Sequence, residues 1–162
     1  MLLDQYQILF SYHFDTLARL LDQIGQLTPS QREAQSDQDQ RSLLQVSFHI
    51  LDTDYGWREA LETGERPATL PRDVYADPEK LRDLLARERA AWKEYFVTLS
   101  DEIIKQEISL SAGPDRVLTV PRWKVLQHLL FHGMQHQAEI AARLTSWGHS
   151  PGDIDFIFYQ PE

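Results

Sequence analysis

The apolar positions of the chain recur with the spacing of an α-helix in four long segments. In the first segment, from Leu2 to Ile24, they step by three and four residues along one face, which predicts a helix. The same period predicts further helices from Arg41 to Glu62, from Pro78 to Ser100 and from Pro121 to Trp147. No segment of comparable length alternates as a central strand does. The pattern therefore predicts an all-α protein.

Residues that begin and end helices separate these segments. Asp77 and Pro78 combine an N-cap acceptor with proline at the first helical position, which marks the start of the third helix. Gly64 follows the second helix, where a glycine ends a helix most easily. The polar stretch from Leu27 to Gln40 and the proline-containing loop from Thr63 to Ala76 are predicted to connect the first three helices by turns.

The pattern changes between Asp101 and Val120. Residues Glu107 to Ser111 alternate, the Gly-Pro turn of Ala112 to Asp115 follows, and Val117 to Val120 resume the apolar character. This order is typical of a short hairpin or extended excursion. The tail from Asp153 to Tyr159 is apolar enough that we expect it to pack against the helices in extended form.

Four helices of this length predict an antiparallel four-helix bundle, with the excursion between the third and fourth helices and residues 1–162 in one domain. The chain has 25 acidic and 16 basic side chains and a net charge of −9. Such a surface repels phosphate groups, so we expect no nucleic-acid partner. No apolar run reaches the roughly 18 residues of a membrane span, and no signal-peptide pattern is seen. We therefore expect a cytoplasmic protein with no membrane partner.

The histidines of the fourth helix are the strongest chemical signal. The chain has six histidines and no cysteine, and His128, His132 and His136 follow one another at intervals of four. Residues four apart stand one above the other and can share a metal ion, whereas residues eight apart are separated by about 12 Å. The pair is therefore His128 with His132 or His132 with His136. On a helical wheel the latter two point toward the apolar face, which favours that pair.

A catalytic site of this kind usually needs a third protein ligand. The candidates are His13, His49, His149 and the carboxylates. His49 is the best placed, because Thr53 and Gly56 follow one and two turns further along its face and leave room for an ion. The motifs of di-iron bundles, zinc proteases, serine hydrolases and phosphate loops are absent from the sequence.

Two segments, from Phe48 to Trp57 and from Val125 to Glu139, together with the ending from Leu144 to Pro151, resemble the DinB/YfiT-like family of metalloenzymes. The resemblance implies a four-helix bundle, often a homodimer, that binds zinc or nickel through three histidines. Carried over by position, these ligands are His49, His132 and His136. The chain departs from the family's His-Arg-Gly-Gln pattern, since Gln-Ala-Glu follows the last ligand. A role of the family's arginine and glutamine therefore cannot be assigned to residues of this chain.

The resemblance also implies a function. Relatives of this fold are thiol-dependent S-transferases, and some are metal-dependent hydrolases. We expect a metal-dependent enzyme that uses a low-molecular-weight thiol as co-substrate and a small molecule as substrate, with a hydrolase or a non-catalytic metal-binding bundle as the alternatives. Asp52 or Asp54 is expected to support the ligands. The segments from Thr63 to Ala76 and from Asp101 to Val120 are expected to shape the substrate entrance.

Overall fold

The computed structural model describes residues 1–35, 40–73, 77–111 and 116–161. Strands β1 and β2 form an antiparallel hairpin, and short 3-10 turns lie on either side of the last helix. The long helices confirm the predicted all-α class and the four-helix bundle. The elements are α1 (Leu2–Gln26), α2 (Pro29–Glu33), α3 (Leu43–Thr63), α4 (Pro78–Val97), Ile103–Lys105 (3-10), β1 (Glu107–Ser111), β2 (Val117–Pro121), α5 (Arg122–Ser146) and Phe156–Phe158 (3-10).

Local capping explains where these helices begin and end. Asp77 accepts a hydrogen bond of 2.9 Å from the backbone amide two residues on, as the sequence predicted for the start of α4. Ser42 caps α3 by accepting a hydrogen bond of 3.3 Å from the backbone amide three residues on, and Gly64 ends that helix with a φ of +85°. The polar stretch before α3 contains one element that the sequence did not predict, because Thr28 caps the short helix α2.

The four long helices pack in the cyclic order α1, α4, α3, α5, so α1 and α3 lie diagonally across the bundle. Near the start of α1, Tyr6 donates a hydrogen bond of 3.2 Å to the carbonyl of Trp123. Further along, the Gln137 side chain donates one of 2.8 Å to the carbonyl of His13. Since both residue numbers increase together, α1 and α5 run in the same direction.

Contacts between residues of adjacent helices also give the relative directions of the other helix pairs. Arg89 and Arg82 of α4 pair with successively later residues of α1, so these two helices are antiparallel. Aromatic contacts between α3 and α5 give the same result, as described below for the histidines. The predicted antiparallel packing therefore holds for α1 with α4 and for α3 with α5, whereas α1 with α5 and α3 with α4 are parallel pairs.

Because α3 and α4 run in the same direction, the chain between them has to return along the bundle. We call its described part, residues 64–73, the return segment. The backbone amide of Leu70 donates a hydrogen bond of 2.7 Å to the Asp52 carboxylate, so the segment lies along α3. At its start, the carbonyl of Gly64 accepts a hydrogen bond of 3.3 Å from the amide of Ser111 at the end of β1.

The core and the hairpin follow the predicted pattern of burial. Trp92 is 1% exposed, and its ring lies 4.6 Å from that of Phe10. In the hairpin, Leu110 and Val120 face the core, while the predicted turn at residues 112–115 lies outside the described residues. Within the described chain, no helix combines the length and the hydropathy that a membrane span requires.

The tail packs on α1 as expected, but mostly through polar contacts. The Tyr12 hydroxyl donates a hydrogen bond of 2.6 Å to the carbonyl of Ile154, and the Tyr159 hydroxyl donates one of 2.6 Å to Asp15. A 3-10 turn interrupts the extended chain between these two contacts. The apolar side chains of this turn are largely exposed instead of buried: Phe156, Ile157 and Phe158.

Candidate metal centre

Three histidines from two helices converge on one point of the bundle. His49 lies on α3, and His132 and His136 lie one turn apart on α5. Their ring centroids are 4.7–4.9 Å apart, and one nitrogen from each ring lies within 4.8 Å of the other two. These are the three histidines that the family resemblance selected, and the structure places them together.

The packing of α5 depends on a glycine between two of these histidines. A Cβ atom on Gly133 would collide with the imidazole of His13, which packs directly on the α5 backbone at this point. The missing side chain therefore allows α1 to approach α5 closely. Because α3 runs antiparallel to α5, His49 faces His132 and His136, while Trp57, two turns later, faces His128.

The spacing of the histidine nitrogens suits a metal ion. The Nε2 atoms of His49 and His132 face each other at 3.0 Å. Two nitrogens bound to one ion at about 2.0–2.1 Å are about 2.9 Å apart at a right angle and about 3.4 Å apart at a tetrahedral angle. The observed distance lies in this range. Without an ion, one of the two nitrogens must carry a proton and donate a hydrogen bond to the other.

The electrostatics of His132 favour the neutral imidazole that a metal requires. Burial, and then the neighbouring histidines beginning with His49 and His136, lower the pKa of His132 from 6.5 to about 3. At neutral pH the ring therefore carries no charge, so metal binding does not have to displace a second proton from it.

An acidic side chain that the sequence did not single out orients His136. The Glu139 carboxylate lies one turn further along α5, 3.2 Å from the Nδ1 atom of His136. The Arg143 guanidinium lies 3.9 Å from the same carboxylate and is held by the carbonyls of Ala34 and Arg41 at 2.7 and 3.0 Å. A hydrogen bond to Nδ1 leaves Nε2 as the ligand atom, which is the usual arrangement at histidine metal sites. The i, i+3 spacing of His136 and Glu139 is the feature of the sequence that could have revealed this contact.

We expect Glu139→Ala to weaken zinc binding by about 10–100-fold, because it removes the partner that fixes the tautomer of His136. Competition with a chromophoric chelator measures this affinity. Glu94→Ala, which removes an equally charged but exposed side chain of α4, is the matched control and should bind zinc as the unchanged protein does. Equal affinity in the two variants would show that Glu139 has no part in the site.

The two aspartates expected to support the ligands have other partners. Asp54 is fully buried and lies 2.8 Å from the Nε2 atom of His13. Asp52 accepts the hydrogen bond from the return segment described above. The carboxylate that the structure places beside a clustered histidine is that of Glu139.

The remaining histidines lie outside the cluster. His13 is buried against Asp54 and Gln137 instead of joining the three rings. His128 is exposed, with its ring 6.0 Å from that of His132 and 5.9 Å from that of Trp57. His149 follows α5 and also stands apart from the group. The structure thus favours the pair of His132 with His136 over that of His128 with His132.

Comparisons with known proteins agree with this architecture. The model of the DinB family matches residues 2–162. A DinB-like protein of Bacillus subtilis, YjoA, superposes with a TM-score of 0.66 at 18% identity, over 90% of this chain and 93% of that one. YfiT from Bacillus subtilis, described as a probable metal-dependent hydrolase with an unusual four-helix bundle topology, gives 0.68 at 20% identity, over 90% and 87%. A comparison with curated proteins finds no significant match.

Proposed function

The chain belongs to the DinB family, and we propose that it is a metal-dependent enzyme whose divalent ion is held by His49, His132 and His136. The observation that carries the proposal is the convergence of one nitrogen from each ring within 4.8 Å. Imidazole suits zinc and nickel, whereas magnesium and calcium prefer oxygen ligands, so we propose zinc or nickel. Three protein ligands leave positions for a substrate, as in catalytic zinc sites.

A divalent ion in this position would supply Lewis-acid chemistry, which lowers the pKa of a thiol or of water. The neighbouring carboxylates have other tasks. Glu139 contacts Nδ1 of His136, Asp54 pairs with His13, and Asp52 holds the return segment. Since each of these three carboxylates already has a partner, the arrangement suits a nucleophile that needs a lowered pKa and no separate base.

A thiol meets this requirement more easily than water does, because its ordinary pKa of about 8.5 is already close to neutrality. We therefore propose thiol-dependent S-transfer. The sulfur of a low-molecular-weight thiol forms a bond to an electrophilic carbon of a small molecule. The bond from that carbon to its leaving group breaks, the leaving group takes the electron pair, and the thiol proton passes to solvent. The cytoplasm, where such thiols stay reduced, is the compartment that we propose.

Metal-dependent hydrolysis is the second candidate, and two observations favour it. YfiT, to which the fold is similar, is described as a probable metal-dependent hydrolase. In addition, the exposed imidazole of His128 lies beside the cluster, with its ring 6.0 Å from that of His132, where it can donate a proton to a leaving group.

Purified protein loaded with zinc or nickel should conjugate glutathione or cysteine to chlorodinitrobenzene at least about tenfold faster than the His132→Ala variant. Product absorbance follows this reaction directly. The same preparations are tested for hydrolysis of nitrophenyl acetate. Conjugation at the rate of the variant would end the transferase proposal, and metal-dependent ester hydrolysis would then support the second candidate. Equal rates of variant and unchanged protein in both assays would indicate a non-catalytic metal-binding bundle.

A further inference from the structure

The return segment brings Arg66 onto the face of α3 that carries His49. The Nε atom of Arg66 lies 3.6 Å from the position that a Cβ atom of Gly56 would occupy. Gly56 follows His49 by seven residues, which is close to two helical turns, so the two residues share a face. Seven residues also correspond to about 10 Å along the helix axis. The guanidinium of Arg66 therefore lies over the face of α3 that carries His49, displaced from His49 by about 10 Å along the helix axis.

Contacts on both sides of Arg66 define its place. Two residues before it, the carbonyl of Gly64 is hydrogen-bonded to the amide of Ser111 at 3.3 Å. Four residues after it, the amide of Leu70 is hydrogen-bonded to Asp52 at 2.7 Å. Arg66 therefore lies on a stretch of backbone that is anchored to β1 and to α3, and it does not stand at the tip of an unsupported loop.

A row of ring contacts connects Arg66 with the cluster. The Arg66 guanidinium carbon lies 5.3 Å from the centre of the Trp57 ring, in cation–π geometry. The Trp57 ring lies edge-on to His128 at 5.9 Å, and His128 is 6.0 Å from His132. One continuous surface of side chains thus leads from the proposed metal ligands to the guanidinium.

The charge of Arg66 is not matched by a carboxylate of the described residues. Other arginines have such partners: Arg58 contacts Glu88 at 3.0 Å, and Arg89 contacts Asp15 at 2.6 Å. In the part of the chain that the structure describes, no carboxylate lies within ion-pair distance of Arg66, although the protein carries a net charge of −9. Its contact with the face of Trp57 leaves the N–H donors at the edge of the guanidinium for another acceptor.

We propose that Arg66 determines substrate specificity by binding a carboxylate on the small molecule that reacts at the metal, about 10 Å from the group that contacts the ion. This inference rests on the function proposed above. A guanidinium matches a carboxylate through two parallel hydrogen bonds, and its stacking on Trp57 fixes the plane of the fork. A single cation matches one carboxylate charge better than it does a phosphate, which carries nearly twice that charge at neutral pH.

The test uses protein loaded with Co²⁺ and two thiol probes of equal length, 6-mercaptohexanoate and 6-mercaptohexanol. An extended chain of this length places its carboxylate about 10 Å from the metal when sulfur binds the ion. The sulfur-to-cobalt absorption band reports binding without any catalytic turnover. We expect the acid to bind about three- to tenfold more tightly than the alcohol, as suits one partly exposed ion pair. Arg66→Gln should remove this preference and leave the affinity for the alcohol unchanged.

Arg87→Gln is the matched control, since it removes the same charge from an exposed position on α4 and should keep the preference. Equal binding of acid and alcohol by the unchanged protein, or the same preference in Arg66→Gln, would overturn the inference and would indicate that Arg66 only covers Trp57. The proposed metal site would stand in either case. A protein that gives no cobalt–sulfur band with the acid also overturns the inference, and one that binds no Co²⁺ overturns the proposed function as well.

Discussion

His132→Ala is expected to lower the affinity for zinc or nickel by more than about 100-fold. The affected ring contacts both other rings of the cluster, since His49 faces it from α3 and His136 follows it one turn along α5. Loss of a residue that only orients a ligand costs about 10–100-fold, so the loss of a ligand itself should cost more. The substitution also leaves two imidazoles, which is one fewer than catalytic zinc sites usually have.

Thermal unfolding with and without added metal gives a second measurement of the same effect. An ion at 100 times its dissociation constant stabilises the folded state by about 2.7 kcal/mol, which corresponds to about 5–10 °C for a chain of this size. The unchanged protein should show this increase in Tm and His132→Ala should not. His128→Ala is the control, because it removes an exposed imidazole one turn away and should keep the increase. Loss of the increase in both variants would instead place the metal at His128 with His132, and an increase that survives in His132→Ala would contradict both pairings.

Arg58→Met is expected to lower the free energy of unfolding by about 3–5 kcal/mol, the usual cost of leaving a buried charge without its partner. Arg58 and Glu88 are 6% and 5% exposed, and their side chains are joined by hydrogen bonds of 3.0 and 3.2 Å between α3 and α4. Burial raises the pKa of Glu88, while the Arg58 guanidinium opposes this increase. Without the guanidinium, Glu88 is either a buried carboxylate with no cation beside it or a neutral carboxyl group that has had to bind a proton.

The loss in Arg58→Met should become smaller in acid. With its folded-state pKa raised, Glu88 holds its proton in the native state more tightly than in the unfolded state. The cost of the unpaired carboxylate is therefore present at neutral pH and disappears as the pH falls toward the ordinary value of 4.5. Urea unfolding at pH 7 and near pH 4.5 measures the difference.

Two controls separate this explanation from a general loss of packing. The double variant Arg58→Met, Glu88→Leu replaces both charges by apolar groups and should recover most of the stability. Lys80→Met breaks an exposed ion pair with Asp73, with 3.4 Å between nitrogen and oxygen, and should cost at most about 1 kcal/mol. A double variant as unstable as Arg58→Met would mean that the arginine stem matters through packing and not through its charge.

The sequence predicted the helices well where a cap decides their ends. Asp77 and Pro78 at the start of α4 and Gly64 at the end of α3 act as expected, because capping depends on residues within one turn. Helix α2 was missed, since five residues give too short a pattern to reveal a period. The order of the helices around the bundle depends on contacts between residues far apart in the chain, so the periodicity alone does not reveal the parallel pairs.

In the candidate site too, contacts within one helix were predictable from the sequence, whereas contacts between helices were not. The choice of His132 and His136 followed from two residues on one helix, for which the wheel gives the facing directions. His49 lies on another helix; its own helix face makes it the best-placed third candidate, and its position in the family pattern selects it. Glu139 was not recognised as a partner of His136, although it lies only three residues away, because its rotamer depends on Arg143 and the chain beyond α2.

The most direct test of the central proposal, that His49, His132 and His136 hold one divalent ion, is elemental analysis of the protein purified without an affinity tag. We predict close to one equivalent of zinc or nickel per chain, and its loss from the His132→Ala protein prepared in parallel. Less than about 0.2 equivalents of any transition metal, even after incubation with zinc and removal of the excess, would contradict it.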